Sequence, residues 1–147
     1  MSRGKESSSM TLSAKEKIDL SRYRLEKARE FLNDAKNFLD SGAYDASVNR
    51  SYYAMLNSAR SILVLRGIDA ETHDGVKTML SKEFIKTGLL PKEFNEVFRN
   101  VQGRRIDSDY GDYVEMGKDE ALDSFTRAEE FVQKISELVS ELVKDLE

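Results

Sequence analysis

The chain has 147 residues, with 23 Lys and Arg against 27 Asp and Glu, a formal net charge of −4, one proline and no cysteine. That length suits one domain. A composition of 39% hydrophobic and 34% charged residues with so few breakers points to helices and away from a sandwich or barrel. The negative balance excludes a generic polyelectrolyte binder, so any RNA or nucleotide site must be a local basic patch. Without cysteine there are no disulfides, thiolate ligands or cysteine nucleophiles, which fits a reducing compartment. No apolar run approaches the roughly 18 residues of a membrane span. The start, MSRGKESSSM, lacks the apolar stretch of a signal peptide. Residues 1–11 are read as a disordered tail, with Met10 an alternative start, and residues 12–147 as one cytoplasmic helical bundle domain.

The first helix is predicted to begin at Ser13, where SAKE offers a capping box between the Ser13 hydroxyl and Glu16. Ile18, Leu25, Ala28, Leu32, Ala35 and Leu39 form an apolar stripe, widened by Phe31 and Phe38. Gly42 supplies a left-handed stop. The second helix is placed over Tyr44–Arg66, ending at Gly67, with Val48, Tyr52, Met55, Ala59 and Ile62 as its core line. Beside that line lie Asn49, Arg50, Tyr53, Asn57 and Arg60, a polar strip that reads as a solvated edge or as the wall of a pocket.

A shorter third helix is expected over His73–Lys86, with Thr72 as N-cap and Val76, Leu80 and Phe84 facing inward. TGLLP then breaks the chain, and Pro91 suits the first turn of the fourth helix. Phe94, Phe98 and Val101 make that helix's inner line, which Arg105 continues. YGDYVEMGKDE reads as a loop or frayed turn. The fifth helix, over Asp119–Leu146, has the most regular pattern: Ala121, Phe125, Ala128, Val132, Ile135, Val139, Leu142 and Leu146. The fold class is all-α, an antiparallel up-and-down bundle of four main helices plus a shorter one. Its broad apolar faces favour a homodimer.

The chemistry concentrates in GRRIDSDYGDY, residues 103–113. Arg105 and Asp109 share a helix face at a spacing of four and can pair. On an apolar line the guanidinium requires a partner, which an anionic or planar ligand would also provide. A calcium loop fails on spacing. Counting from Asp107, the fifth position is Gly111 and the twelfth is Lys118, where a bidentate glutamate is needed. His73 is the sole histidine, lacks a second histidine for a zinc pair, and reads as a capping or packing group beside Asp74. No phosphate loop, nucleophile elbow or paired catalytic carboxylate is present.

Three blocks, NRSYYAMLNSARSILVLRGID, THDGVKTMLSKEFIKTGLLPKE and RRIDSDYGDY, resemble the HEPN domain in its compact prokaryotic branch, over roughly residues 28–132. The resemblance implies a helical bundle that pairs about a twofold axis and brings two motif copies to a shared cleft. It also implies a metal-independent ribonuclease or nucleotide binder, often encoded beside a minimal nucleotidyltransferase as toxin and neutralising partner. The family's ribonuclease motif is an arginine followed four to six residues later by histidine. Arg105 matches the arginine, whereas Asp109, Tyr110 and Gly111 stand at the histidine positions. Ordinary histidine exchanges protons near neutral pH, while tyrosine titrates near pH 10 and aspartate near 4, so the departure favours binding over cleavage.

The expected catalytic set is Arg105, Asp109 and Tyr110, and the expected ligand-binding set is Arg50, Tyr53, Asn57, His73 and Arg104, with no metal and no cofactor. Arg105 would stabilise charge on a phosphate, Asp109 would activate a ribose hydroxyl, and Tyr110 would donate a proton or receive a nucleotidyl group. The favoured function is nucleotide or single-stranded RNA binding in a toxin–antitoxin-type pair with a minimal nucleotidyltransferase. A metal-independent ribonuclease toxin is the alternative, and a structural helical adaptor is a weaker third.

Overall fold

Helix α1 (Ala14–Asp40) starts where the capping box predicts: the Ser13 hydroxyl accepts from the Glu16 amide at 3.1 Å, and the Glu16 carboxylate accepts from the Ser13 amide at 2.9 Å. It ends in a Schellman turn, in which Gly42 N–H donates to Leu39 O and Ala43 N–H to Phe38 O. Gly42 has φ +82°, a backbone that a side chain would disfavour. The computed structural model of the protein describes residues 8–9, 11–110 and 116–147. Of the predicted tail, only Ser8–Ser9 and Thr11 fall within it. Ser8–Ser9 (β1) pairs antiparallel with Ile68–Asp69 (β2).

Helix α2 (Tyr44–Leu65) is the axis of the molecule. Its face toward α1 is built from Ser47, Ser51, Ala54, Ser58 and Ser61, at steps of four and three, all buried. They meet the α1 row of Ser21, Leu25, Ala28, Ala35 and Leu39. Small side chains let the two helices approach closely. The Ser47 hydroxyl reaches across to Ala35 O at 2.8 Å, and Arg24 Nη1 reaches Arg60 O at 3.4 Å, which fixes the pair as antiparallel. The predicted core line of Val48, Tyr52, Met55, Ala59 and Ile62 is fully buried on the remaining faces. The serine seam was not part of the sequence reading, because isolated serines look like surface residues.

Helix α3 (His73–Leu80) is capped by Thr72, whose hydroxyl accepts from Gly75 N–H at 2.9 Å, and it runs into a π turn at Ser81–Ile85. Helix α4 (Glu93–Tyr110) begins two residues after Pro91. Pro91 therefore precedes the helix instead of occupying its first turn, and its carbonyl accepts from Phe94 N–H. Helix α5 (Lys118–Leu146) lies antiparallel to α4: Phe94 stacks on Phe131 at 4.6 Å, and Arg104 bonds Asp123. The result is the expected all-α up-and-down bundle, with α3 as the shorter helix. Phe84, Phe98, Phe131, Met55 and Ile62 are among its largest fully buried side chains. No helix among the described residues is long and apolar enough to cross a membrane.

Overpacking the small-residue seam should cost more than removing a polar atom from it. Ala28→Leu is expected to lower stability by about 1–3 kcal/mol. Ser51→Ala, which deletes a buried hydroxyl with no hydrogen-bond partner among the described residues, should leave stability equal or higher. Urea unfolding of the two variants checks both.

Candidate functional site

From Ser51 to Leu65 every α2 residue is buried except Tyr53, Asn57 and Arg60. These three fall at steps of four and three and so form one strip along the helix. The rest of this stretch is committed to packing. Helices α3 and α4 flank the strip and run antiparallel to each other. His73 at the start of α3 and Arg105 in the second half of α4 meet over the same two tyrosines. Asn95 near the start of α4 donates to Ser81 Oγ, just past the end of α3, at 3.2 Å.

Arg105 turns inward, as its place on the Phe94–Phe98–Val101 line requires. Its side chain is 12% exposed, and its guanidinium carbon stands 5.0 Å from the centre of the Tyr52 ring and 5.8 Å from that of Tyr53. Cation–π contact of this kind contributes about 0.5–2 kcal/mol, more where water is excluded. Nη1 donates to Asp109 Oδ2 at 3.2 Å, which is the predicted i,i+4 pair. Nε and the Tyr52 hydroxyl are both buried without a hydrogen bond of good geometry among the described residues, and the guanidinium lies close enough to the phenol to favour its charged form. A guanidinium carries five N–H donors, so this one keeps capacity for an acceptor from outside the chain.

The Tyr52 ring is the floor of the site. It is fully buried and packs edge-on against Tyr53 at 5.2 Å and Phe98 at 5.8 Å. Burial pushes its phenol well above the ordinary range, and the charge of Arg105 only partly offsets this, so the hydroxyl stays protonated. The sequence reading placed Tyr52 in the core, which is correct, but missed that its face carries the cation.

His73 joins the same cluster. Its ring centre lies 5.5 Å from that of Tyr52 and 6.0 Å from that of Tyr53. Burial lowers its pKa, the charges of Arg105 and Arg60 add to that, and Asp74 opposes them. The imidazole is therefore neutral near pH 7. One turn along the strip, Arg60 and Arg24 both donate to Asp69 Oδ1, at 3.3 and 3.2 Å, and the Arg60 Nε is buried without a partner among the described residues.

The other anticipated residues are placed differently. Asn57 lies on the strip, and its amide donates to Tyr53 O at 2.8 Å. Arg50 bonds Asn49 and lies 5.5 Å over the Phe38 ring of α1. Arg104 points to α5, where it bonds Asp123 at 2.6 Å and Ser124 at 3.0 Å. Among the described residues, neither Arg50 nor Arg104 forms a hydrogen bond, ion pair or cation–π contact with the Arg105 cluster. Tyr110 closes α4, but its side chain and Gly111 lie outside the described residues, as do the later positions of the acid-rich segment through 115. Among the described residues, no three His, Asp or Glu side chains converge as metal ligands would.

The helical bundle agrees with the sequence comparisons. The HEPN domain model matches residues 21–138, and the chain belongs to the HEPN family. A UPF0332 protein of Thermotoga maritima is 34% identical over 127 residues, covering 86% of this chain and 96% of the relative. A second UPF0332 protein, from Archaeoglobus fulgidus, is 32% identical over 84% of this chain and 98% of its own length. "Putative toxin MJ0142" of Methanocaldococcus jannaschii is 36% identical over 97 residues, or 66% of each chain.

The depressed His73 pKa sets a pH dependence. Between the folded value and the ordinary value near 6.5, the unfolded chain binds more protons than the folded one. Stability from this group is full above about pH 6.5 and is lost as pH falls toward the folded value. Urea unfolding at pH 7.5 and 5.5 should show a smaller acid-side loss in His73→Gln than in the unmodified protein.

Proposed function

We propose that the protein binds a nucleotide or single-stranded RNA in the cleft over Tyr52 and Tyr53, as the toxin-like HEPN half of a pair with a minimal nucleotidyltransferase. One observation carries this reading: Arg105 is held 12% exposed over two tyrosine rings, and among the described residues it has one carboxylate partner and an Nε without a hydrogen bond. A phosphate oxygen supplies the missing acceptor, Tyr53 offers a face for a base to stack on, and Asn57 and His73 edge the cleft. The toxin setting rests on family membership and on the name of the Methanocaldococcus relative.

Arg105→Gln should weaken binding of ATP or a short labelled RNA about 10- to 100-fold, the loss of one charge-assisted interaction. Fluorescence anisotropy measures it, and equal affinity in both proteins would remove the site.

The position of His73 favours cleavage as a second reading. A neutral imidazole close to a phosphate-binding guanidinium is equipment for transesterification. His73 would take the proton of a ribose 2′-hydroxyl, whose oxygen attacks phosphorus while Arg105 stabilises the charge on the phosphoryl oxygens. The bond to the 5′-oxygen breaks, and that oxygen takes a proton from water, leaving a 2′,3′-cyclic phosphate and a 5′-hydroxyl. Asp109 orients Arg105 through their hydrogen bond. Purified protein in EDTA should then cut single-stranded RNA, with loss of at least about 100-fold in His73→Ala. Traces of cutting that are equal in both would leave binding alone.

The homodimer belongs to the same proposal. Ile106 and Leu122, 42% and 46% exposed, lie next to Arg105 and to the Arg104–Asp123 contact, an apolar rim that a second copy would cover. Light scattering should give twice the chain mass, and Ile106→Lys with Leu122→Lys should halve it.

A further inference from the structure

The α3–α4 side of the bundle carries more than the Arg105 cluster. Past His73 along α3 lies a solvent-open pocket of about 370 Å³, lined by Lys77, Thr78, Ser81, Lys86, Asn95 and Arg99. Its lining holds three cations, two hydroxyls and an amide, and no carboxylate. Several basic groups elsewhere are neutralised locally: Lys36 by Asp40, Arg66 by Glu83, and Arg104 and Arg127 by Asp123. Lys77, Lys86 and Arg99 form no ion pair among the described residues.

The backbone builds this convergence. An α-helix places residues three and four apart on one face. At Ser81–Ile85 the bonding shifts to a π turn, in which Lys86 N–H donates to Ser81 O at 2.8 Å. Residues five apart are thereby stacked, and Ser81 and Lys86 share one wall of the pocket. Asn95, bonded to Ser81 Oγ, ties that wall to α4, from which Arg99 completes the opposite side. Lys77 stands one turn from His73 on α3, which places the pocket next along that helix from the Arg105 cluster. At about 1.5 Å per residue, the eight steps from His73 to Ser81 span roughly 12 Å, the reach of a few nucleotides.

We infer that this pocket is a phosphate-binding subsite that holds the backbone of a single-stranded RNA whose neighbouring nucleotides cross His73 and Arg105. It deepens the RNA reading of the Arg105 cleft and rests on it. A free nucleotide would use the cleft alone, whereas a strand engages both places. Backbone contacts release counterions, and for single strands the slope of log affinity against log salt is about −0.7 per phosphate neutralised.

The test compares a labelled ten-nucleotide RNA with a dinucleotide over a salt series, in the unmodified protein and in Lys77→Gln/Lys86→Gln/Arg99→Gln. Lys86 and Arg99 are exposed and Lys77 is partly so, and circular dichroism checks that the variant folds. The expected result is a loss of at least about tenfold for the ten-mer, with a salt slope shallower by about 2 for three contacts and unchanged dinucleotide affinity. Arg105→Gln should weaken both ligands. Ten-mer binding equal to that of the unmodified protein would overturn the subsite. Titration with inorganic phosphate, read at the Ser81 and Lys86 amides by NMR, separates the two failures. Saturating shifts there, in a protein that binds no RNA, overturn the strand assignment and the RNA reading together. Absent shifts with intact RNA binding overturn the pocket alone.

Discussion

The burial of α2 is the constraint on which the rest depends. A helix apolar or small on nearly every face must be surrounded, and α1, α3, α4 and α5 do so. The serine and alanine seam admits α1 at close range, while Val48, Met55, Ala59 and Ile62 fill the other sides. From Ser51 to Leu65, only the strip of Tyr53, Asn57 and Arg60 keeps access to water. The candidate site therefore occupies the line that packing leaves open on this part of the central helix. Its floor, Tyr52, is a core residue that cannot shift without disturbing Phe98.

That rigid floor accounts for the electrostatics above it. Arg105 is desolvated, yet aromatic faces and Asp109 offset the cost, so the charge persists where water is scarce. The same low-polarity surroundings keep the Tyr52 hydroxyl protonated and the His73 ring neutral. One cation, one neutral base and one stacking face thus share a small space, and each state follows from burial and its neighbours.

Much of this was legible in the sequence where the information is local. The Ser13 capping box, the Gly42 stop and the Thr72 cap depend on residues within a turn of one another, and each stands where the pattern put it. The inward turn of Arg105 was legible because it continues a stripe of Phe94, Phe98 and Val101. What pattern could not supply was partner choice across helices. Arg50 and Arg104 looked equivalent to Arg105 as cations near the site, but Phe38 draws one toward α1 and Asp123 the other toward α5. His73 read both as a capping or packing group and as a ligand-binding candidate, and only the antiparallel course of α3 and α4 set it over Tyr52. The small-residue seam and the π turn escaped for the same reason: serines carry no strong apolar signal, and an i→i+5 bond leaves no mark in composition.

The shared carboxylate of Asp69 has a consequence for how such a chain can diverge. Arg24 of α1 and Arg60 of α2 both grip it, and it sits four residues before His73. The short connection from α2 to α3 is thereby pinned to two helices at once, and its length sets where the imidazole arrives. Descendants could tolerate insertions at the α1–α2 corner with little effect on the cleft. A single residue added between Asp69 and His73 would carry the ring away from Arg105 while leaving the bundle intact.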